Sequence, residues 1–275
     1  MPEGDSVFRL AARLRATLPG RTITRGELRS GRSAGASLAG LTIEGFATHG
    51  KHLLTRLAPD LTLHTHMRMQ GRWTITGAGK TLPARTRHTV RMRAALDDGR
   101  TLWAIDMPVV ELIPRAHESE VLRRLGPDPL QPHWDADEAG SRIRLRPDRP
   151  IAHALLDQRN VAGFGNLWVN EICFLRGVHP DTPAASVDVS ALLARAASML
   201  RISATDPKLY QVTTGDTAKG RSHWVAGRAG RPCLRCGTIV QVRAEVPGDP
   251  DRRRTWWCPR CQPPPDASRE EPRGG

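Results

Sequence analysis

The chain is predicted to be α+β: an N-terminal helix and a β-sandwich, then a helical domain, then a small β-hairpin module built on four cysteines. Three observations predict it. Apolar residues recur at helical spacing behind the N-terminus, the stretch from 21 to 115 breaks into short alternating runs, and two C-x2-C pairs close a second helical region.

Val7, Leu10, Ala11, Leu14 and Leu18 fall on one side of residues 6 to 18, with Arg9, Arg13 and Arg15 on the other, which is the pattern of an amphipathic helix. Asp5 is a natural N-cap, and Pro19-Gly20 stops the helix. Then come "LTIEGF", "KHLLTRL", "LTLHTHM", "RWTITG", "HTVRMRAAL", "TLWAID" and "VVELI", separated by turn signals such as "APD" and "DDG". So many short strands in one stretch imply an all-β sandwich or barrel. "LGPDPLQPHW" reads as a proline-rich linker, and "PIAHALLDQRN", "FGNLWVNEICFLRG" and "VSALLARAASML" read as helical. The expected organisation is therefore a helix and sandwich over 1–124, a linker over 125–134, helices over 135–229, a cysteine module over 230–262 and a disordered tail over 263–275. No internal repeat is present.

Hydrophobic residues make up 39% of 275 and aromatics 4%, enough for a lean aliphatic core. The net charge of +13 comes from arginines spread along nearly the whole chain, which suits a surface that holds a polyanion and releases its counterions. No apolar stretch approaches a membrane span and the first twenty residues lack the apolar core of a secretion signal, so no membrane association and a cytoplasmic location are expected.

In that reducing compartment five cysteines are no disulfide framework. Cys233-Leu-Arg-Cys236 and, after 21 residues, Cys258-Pro-Arg-Cys261 are the paired knuckles that a tetrahedral zinc ion requires. The spacer reads as two strands around a Pro-Gly-Asp turn that returns the second knuckle to the first. Four thiolates leave no open position, so a single structural Zn2+ is expected, beneath a hairpin bearing Arg252, Arg253 and Arg254. Cys173, alone on a helix, reads as core.

Other stretches admit two readings each. If Met1 is trimmed, Pro2 of "MPEGDS" carries a free secondary amine beside Glu3, and a helix starting just behind it lowers that amine's proton affinity. A chance Met-Pro start is the bland alternative. "NVAGFGN" opens a helix with Gly163, Gly165 and Asn166, as a phosphate site or as a packing turn. In "HGKHLL" and "HTHMRMQGRW", His64 and His66 share one strand face; Lys51 and a histidine on neighbouring strands facing a phosphate fit better than metal ligation, for which a third ligand is not evident, and solvated surface residues are the other reading. Met69, in a predicted turn, either packs under its loop or enters a base stack.

Taken together, "PEG", "GKHLL", His66 to Gly71, "LGPDPL", "DQRNVAGFGNLWVNEICFLRGVHP" and "RRRTWWCPRCQ" resemble, in this order, the bacterial formamidopyrimidine-DNA glycosylase and endonuclease VIII family. The resemblance implies a helix-two-turns-helix domain, a zinc finger, and base-excision repair by a DNA glycosylase with AP lyase activity acting on damaged DNA. It implies Pro2 as the nucleophile forming a Schiff base, and Glu3 as the acid, its pKa raised by burial. Lys51 would assist the first (β) elimination and Arg253 the second (δ). Arg253 is chosen because it stands five residues before Cys258. Arg68, Met69 and Gln70 would form the wedge behind a flipped nucleotide, with His66, Asn166 and Arg124 gripping the backbone and residues 211–224 lying where relatives cover the flipped base. A monomer without a small-molecule cofactor, associated with the nucleoid, is the expected working form.

Two departures bear on the expectation. Ser6 stands where the family often carries a second acid, and "AIDMPVVELIP" replaces a "PRRFG"-like stretch, which favours the endonuclease VIII branch and oxidised pyrimidines. The rival is a non-catalytic zinc-ribbon DNA-binding protein, separated from the enzyme only by Pro2, Glu3 and Lys51.

Overall fold

The computed structural model describes residues 2–246, 248 and 253–265. The chain divides into two compact units, the first running to Arg124 and the second starting at Leu125.

In the first unit, helix α1 (Gly4–Arg15) begins two residues earlier than its apolar period suggests. Glu3, not Asp5, is the N-cap: it pairs reciprocally with Ser6, whose Oγ accepts the Glu3 N–H at 3.3 Å. Asp5 lies inside the first turn, fully buried, and accepts the Ser6 N–H at 2.8 Å. Val7, Ala11 and Leu14 are buried, and the helix packs on β2 and β3.

Eight strands follow: β1 (Ile23–Leu28), β2 (Thr42–His49), β3 (His52–Ala58), β4 (Leu61–His66), β5 (Arg72–Thr76), β6 (Val90–Leu96), β7 (Thr101–Ile105) and β8 (Val109–Pro114). They form two antiparallel four-stranded sheets, ordered β1-β6-β7-β5 and β2-β3-β4-β8. Leu28, Met92 and Leu102 from one sheet share a core with Ile43, Leu53, Leu63 and Val110 from the other, so the sandwich reading holds. Strand β1 escaped the pattern because a bulge between Ile23 and Arg25 breaks its alternation and buries only Ile23 and Leu28 among its side chains. Its Gly26 is required by space: a Cβ there would meet Leu38 Cβ at 2.9 Å.

In the second unit, the proline-rich stretch 125–134 docks on the helices. Gly126 N–H donates to Gln158 O at 2.8 Å and Ala162 N–H to Pro127 O at 2.9 Å, while Leu130 and Trp134 pack on the helical core. A Cβ on Gly126 would lie 2.4 Å from Asn160 O, so this approach needs glycine. Other polar groups of the stretch are met by Asp128, whose Oδ1 accepts the Leu130 N–H at 2.9 Å, and by Arg201, whose Nε–H donates to Pro129 O at 2.8 Å. Helix α2 (Glu118–Leu122) ends the first unit, and α3 (Ala136–Arg144), α4 (Ile151–Leu156), α5 (Asn166–Leu175) and α6 (Val189–Thr205) build the second. Ile143, Leu155, Trp168, Ile172, Leu192 and Leu200 form its core. Strands β9 (Gln241–Arg243) and β10 (Thr255–Trp257) pair antiparallel as the cysteine module's hairpin. Cys173 is fully buried, as expected, and burial pushes its thiol up to about 12. No helix among the described residues is long and apolar enough to cross a membrane.

Candidate functional site

Pro2 is half-buried at the positive end of α1, and Glu3, its N-cap, is 1% exposed. The helix rests on β2 and β3, and the turn joining those strands carries Lys51. His49 pairs with His52 across that two-residue turn, and Gly50 has φ +55, the arrangement of a type II′ hairpin. Lys51 therefore sits in the turn itself rather than opening the strand.

The end of β4 leaves the sheet beside this turn, because His66 pairs with His52. The following loop is pinned at both ends: Met67 is buried, and Gly71 N–H donates to Met67 O at 2.8 Å. A Cβ on Gly71 would fall 2.7 Å from Met67 O and 2.9 Å from Met107 Sδ. Between these anchors Arg68, Met69 and Gln70 are exposed, Met69 to 60%, so Met69 does not pack under its loop. Arg68 has φ +45, and its N–H donates to His66 Nδ1 at 3.0 Å. Arg124 is exposed at the end of the first unit.

His64 is buried and does not share the position of His66 toward the loop. Its Nε2 lies 2.8 Å from His52 Nδ1, and its Nδ1 lies 3.6 Å from Glu111. Among the described residues these histidines belong to no group of three metal-ligating side chains.

In the second unit, the loop between α4 and α5 is cross-braced by its own side chains. Gln158 Nε2 donates to Leu156 O and Phe164 O, its Oε1 accepts the Gly163 N–H, and Asn160 Nδ2 donates to Ala154 O. Arg159 and Arg149 hold the Asp157 carboxyl far below the usual carboxylate range. Gly163 has φ +99, and Gly165 caps α5. Asn166 is partly exposed and already engaged: its Nδ2 donates to Arg254 O at 2.7 Å. Asn170 Oδ1 accepts the Trp256 N–H at 2.8 Å, so one face of α5 sets the hairpin strand that follows Arg253. Arg253 is half-buried and Arg254 exposed; Arg252, the third rival, lies outside the described residues.

Sequence reasoning passed over Glu171. Its buried carboxylate accepts the N–H groups of Trp224, Val225 and Ala226, each at 2.8 Å, and the Thr213 hydroxyl. One side chain on α5 thereby anchors both ends of the 213–226 segment. The signal available was a carboxylate on the apolar side of a buried helix, which is retained only when fully hydrogen-bonded. Glu171→Gln turns one acceptor into a donor facing donors, and should lower unfolding stability by at least about 3 kcal/mol in urea titration.

The Sγ atoms of Cys233, Cys236, Cys258 and Cys261 lie within 4.8 Å of one another, with Cys236 and Cys258 3.4 Å apart. A tetrahedral ion with bonds of about 2.3 Å sets its sulfurs about 3.8 Å apart, so this donor set can hold a metal ion.

The Formamidopyrimidine-DNA glycosylase N-terminal domain family matches residues 1–108, and the Formamidopyrimidine-DNA glycosylase H2TH domain family matches residues 125–205. The DNA-(apurinic or apyrimidinic site) lyase Nei2 of Mycolicibacterium smegmatis is 41% identical over 95% of this chain and 99% of its own. Endonuclease 8 of Escherichia coli is 31% identical over 95% of this chain and 100% of its own. In fold, the chain is similar to Lactococcus lactis formamidopyrimidine-DNA glycosylase, solved non-covalently bound to DNA containing an AP site, with a TM-score of 0.78 at 23% identity over 96% of this chain and 100% of that one. With both family domains matched in order and relatives at this identity over nearly the whole of both chains, the chain belongs to the formamidopyrimidine-DNA glycosylase and endonuclease 8 family.

Proposed function

We propose that this chain is a bifunctional DNA glycosylase and AP lyase of base-excision repair that removes oxidised bases, pyrimidines in preference, and cuts the strand by β- and then δ-elimination. The observation that carries this reading is the buried carboxyl of Glu3 directly behind Pro2, at the start of a helix packed on the hairpin that bears Lys51.

With Met1 removed, the Pro2 nitrogen attacks C1′ of the damaged nucleotide, and the base departs with the electrons of the glycosidic bond and the proton shed by the Pro2 nitrogen. Glu3 gives its proton to the ring oxygen as C1′–O4′ opens, leaving an iminium on Pro2. The iminium acidifies the C2′ proton, whose loss expels the 3′ phosphate; Lys51 assists. A second elimination, assisted by Arg253, expels the 5′ phosphate. Met69, with Arg68 and Gln70, fills the gap left by the extruded nucleotide, and its exposure on a pinned loop supports that role. His66, Asn166 and Arg124 hold phosphates of the damaged DNA. The enzyme works as a monomer in the cytoplasm, on the nucleoid, without a small-molecule cofactor.

The four cysteines would hold one Zn2+, which supplies structure and no reaction step. Metal analysis should return one zinc per chain. Its removal at neutral pH by a strong chelator should open the β9–β10 hairpin to protease and weaken binding to abasic-site DNA by tenfold or more, roughly 1.4 kcal/mol.

Borohydride reduction in the presence of abasic-site DNA tests the assignment: an enzyme of this type becomes covalently joined to the DNA. A non-catalytic DNA-binding protein on the same fold would bind it and remain unlinked.

A further inference from the structure

Three histidines of the β2-β3-β4-β8 sheet form an array to which the reaction above assigns only one member. His52 and His64 stack with ring centroids 5.1 Å apart and planes 9° from parallel, joined by the 2.8 Å contact between His52 Nδ1 and His64 Nε2. His66 meets His52 edge to face at 4.7 Å and 74°. Behind them on β8, the Glu111 carboxylate faces His64 Nδ1 at 3.6 Å, a nitrogen with no hydrogen-bond partner. His49 on β2, Lys51 in the turn and Arg68 in the loop are the other charged or titratable groups acting on these rings.

The proton count follows from this setting. Burial, together with repulsion by its neighbours, lowers His52 to about 3 and His66 to about 4, and burial lowers His64 although Glu111 opposes it. Each ring is therefore neutral at pH 7 and carries one N–H. His66 Nδ1 accepts the Arg68 N–H, so its proton must be on Nε2, which makes that atom a donor. The Glu111 carboxylate favours the His64 proton on Nδ1, leaving Nε2 to accept, so His52 donates from Nδ1.

We propose that Glu111, His64 and His52 are positioning residues: the Glu111 charge orients the His64 proton, and the relay's one hydrogen bond, from His52 to His64, fixes the His52 ring that braces His66, and so holds His66 as a neutral Nε2–H donor for a phosphate of the damaged strand. The inference rests on the repair function proposed above. Neither His52 nor His64 touches the reacting atoms in this scheme. Their effect is on DNA grip, not on the chemical step.

The test uses the full-length protein with its zinc and DNA bearing a tetrahydrofuran abasic-site analogue. H64F keeps a planar ring but loses the acceptor; H64Q loses the ring but keeps an amide oxygen near the Nε2 position. Binding by H64F should weaken about tenfold, binding by H64Q should stay within about twofold of wild type, and the single-turnover trapping rate at saturating abasic DNA should be unchanged in both. A ring acting only by packing would give the reverse order, Phe tolerated and Gln not. Wild-type affinity in H64F, or equal losses in the two variants, overturns the proposal. If H64F does not fold, H52F against H52N makes the same comparison from the donor side, since the Asn amide nitrogen stands where Nδ1 does. Ring 15N spectra of the free wild-type protein separate this from the wider function: they should show protonated Nδ1 on His52 and protonated Nε2 on His66 whether or not the protein acts on DNA. The opposite tautomers would end the relay even in an active enzyme.

Discussion

Protein that retains any residue ahead of Pro2 is expected to lose borohydride trapping on abasic-site DNA by at least about 10³-fold, while binding that DNA with nearly unchanged affinity. The reason is valence. An amide nitrogen has no basic lone pair, so a tag or an uncleaved Met1 removes the nucleophile outright, whereas the proposed DNA contacts at His66, Arg68, Met69, Gln70, Arg124 and Asn166 lie on other elements. The measurement is a denaturing gel of the cross-linked product beside a binding titration of the same preparation. Full trapping by the tagged protein, or an adduct that maps to a lysine, defeats the assignment. So would an intact Met1 in the mass spectrum of working enzyme.

Glu3→Gln is expected to lower release of thymine glycol from duplex DNA by about 10²- to 10³-fold with binding retained. The amide matches the carboxyl in shape and can still occupy the N-cap, so α1 should form, but it has no proton to give to the sugar's ring oxygen. Strand cleavage at a preformed abasic site should suffer less, because there the base is already gone and the open aldehyde can meet the amine directly. A chemical-quench comparison of the two substrates reads this difference. Equal losses on both would move Glu3 from proton donor to helix support, and unchanged thymine glycol release would remove it from the reaction.

Much of this molecule was legible in linear order. The two C-x2-C pairs predicted a four-cysteine cluster because each short loop can present two sulfurs to one centre, and the four Sγ atoms do converge. Most strands followed from alternation, and Met69 stood out as an apolar residue among polar ones. Strand β1 did not, since its bulge shifts the period by one residue. The N-cap was misplaced by two residues because Asp5 is the better intrinsic cap. In the fold, pairing with Ser6 puts Glu3 there, at the residue to which the chemistry is assigned.

The sequence by itself determined the features that depend on neighbours along the chain: helical and strand periods, the metal-ligand spacing, the basic charge, and an ordered set of motifs that places the chain in its family. Tertiary structure alone decided how residues far apart in the chain constrain one another. Glu171 anchors a segment about forty to fifty-five residues downstream, the proline-rich stretch docks on the loop after α4, two helices further on, and the pairing of β3 with β4 and of β4 with β8 brings His52, His64 and Glu111 together. Such contacts arise from strand register and burial, which compel polar groups to find partners across the fold, and no local pattern of residues encodes which partner each will meet.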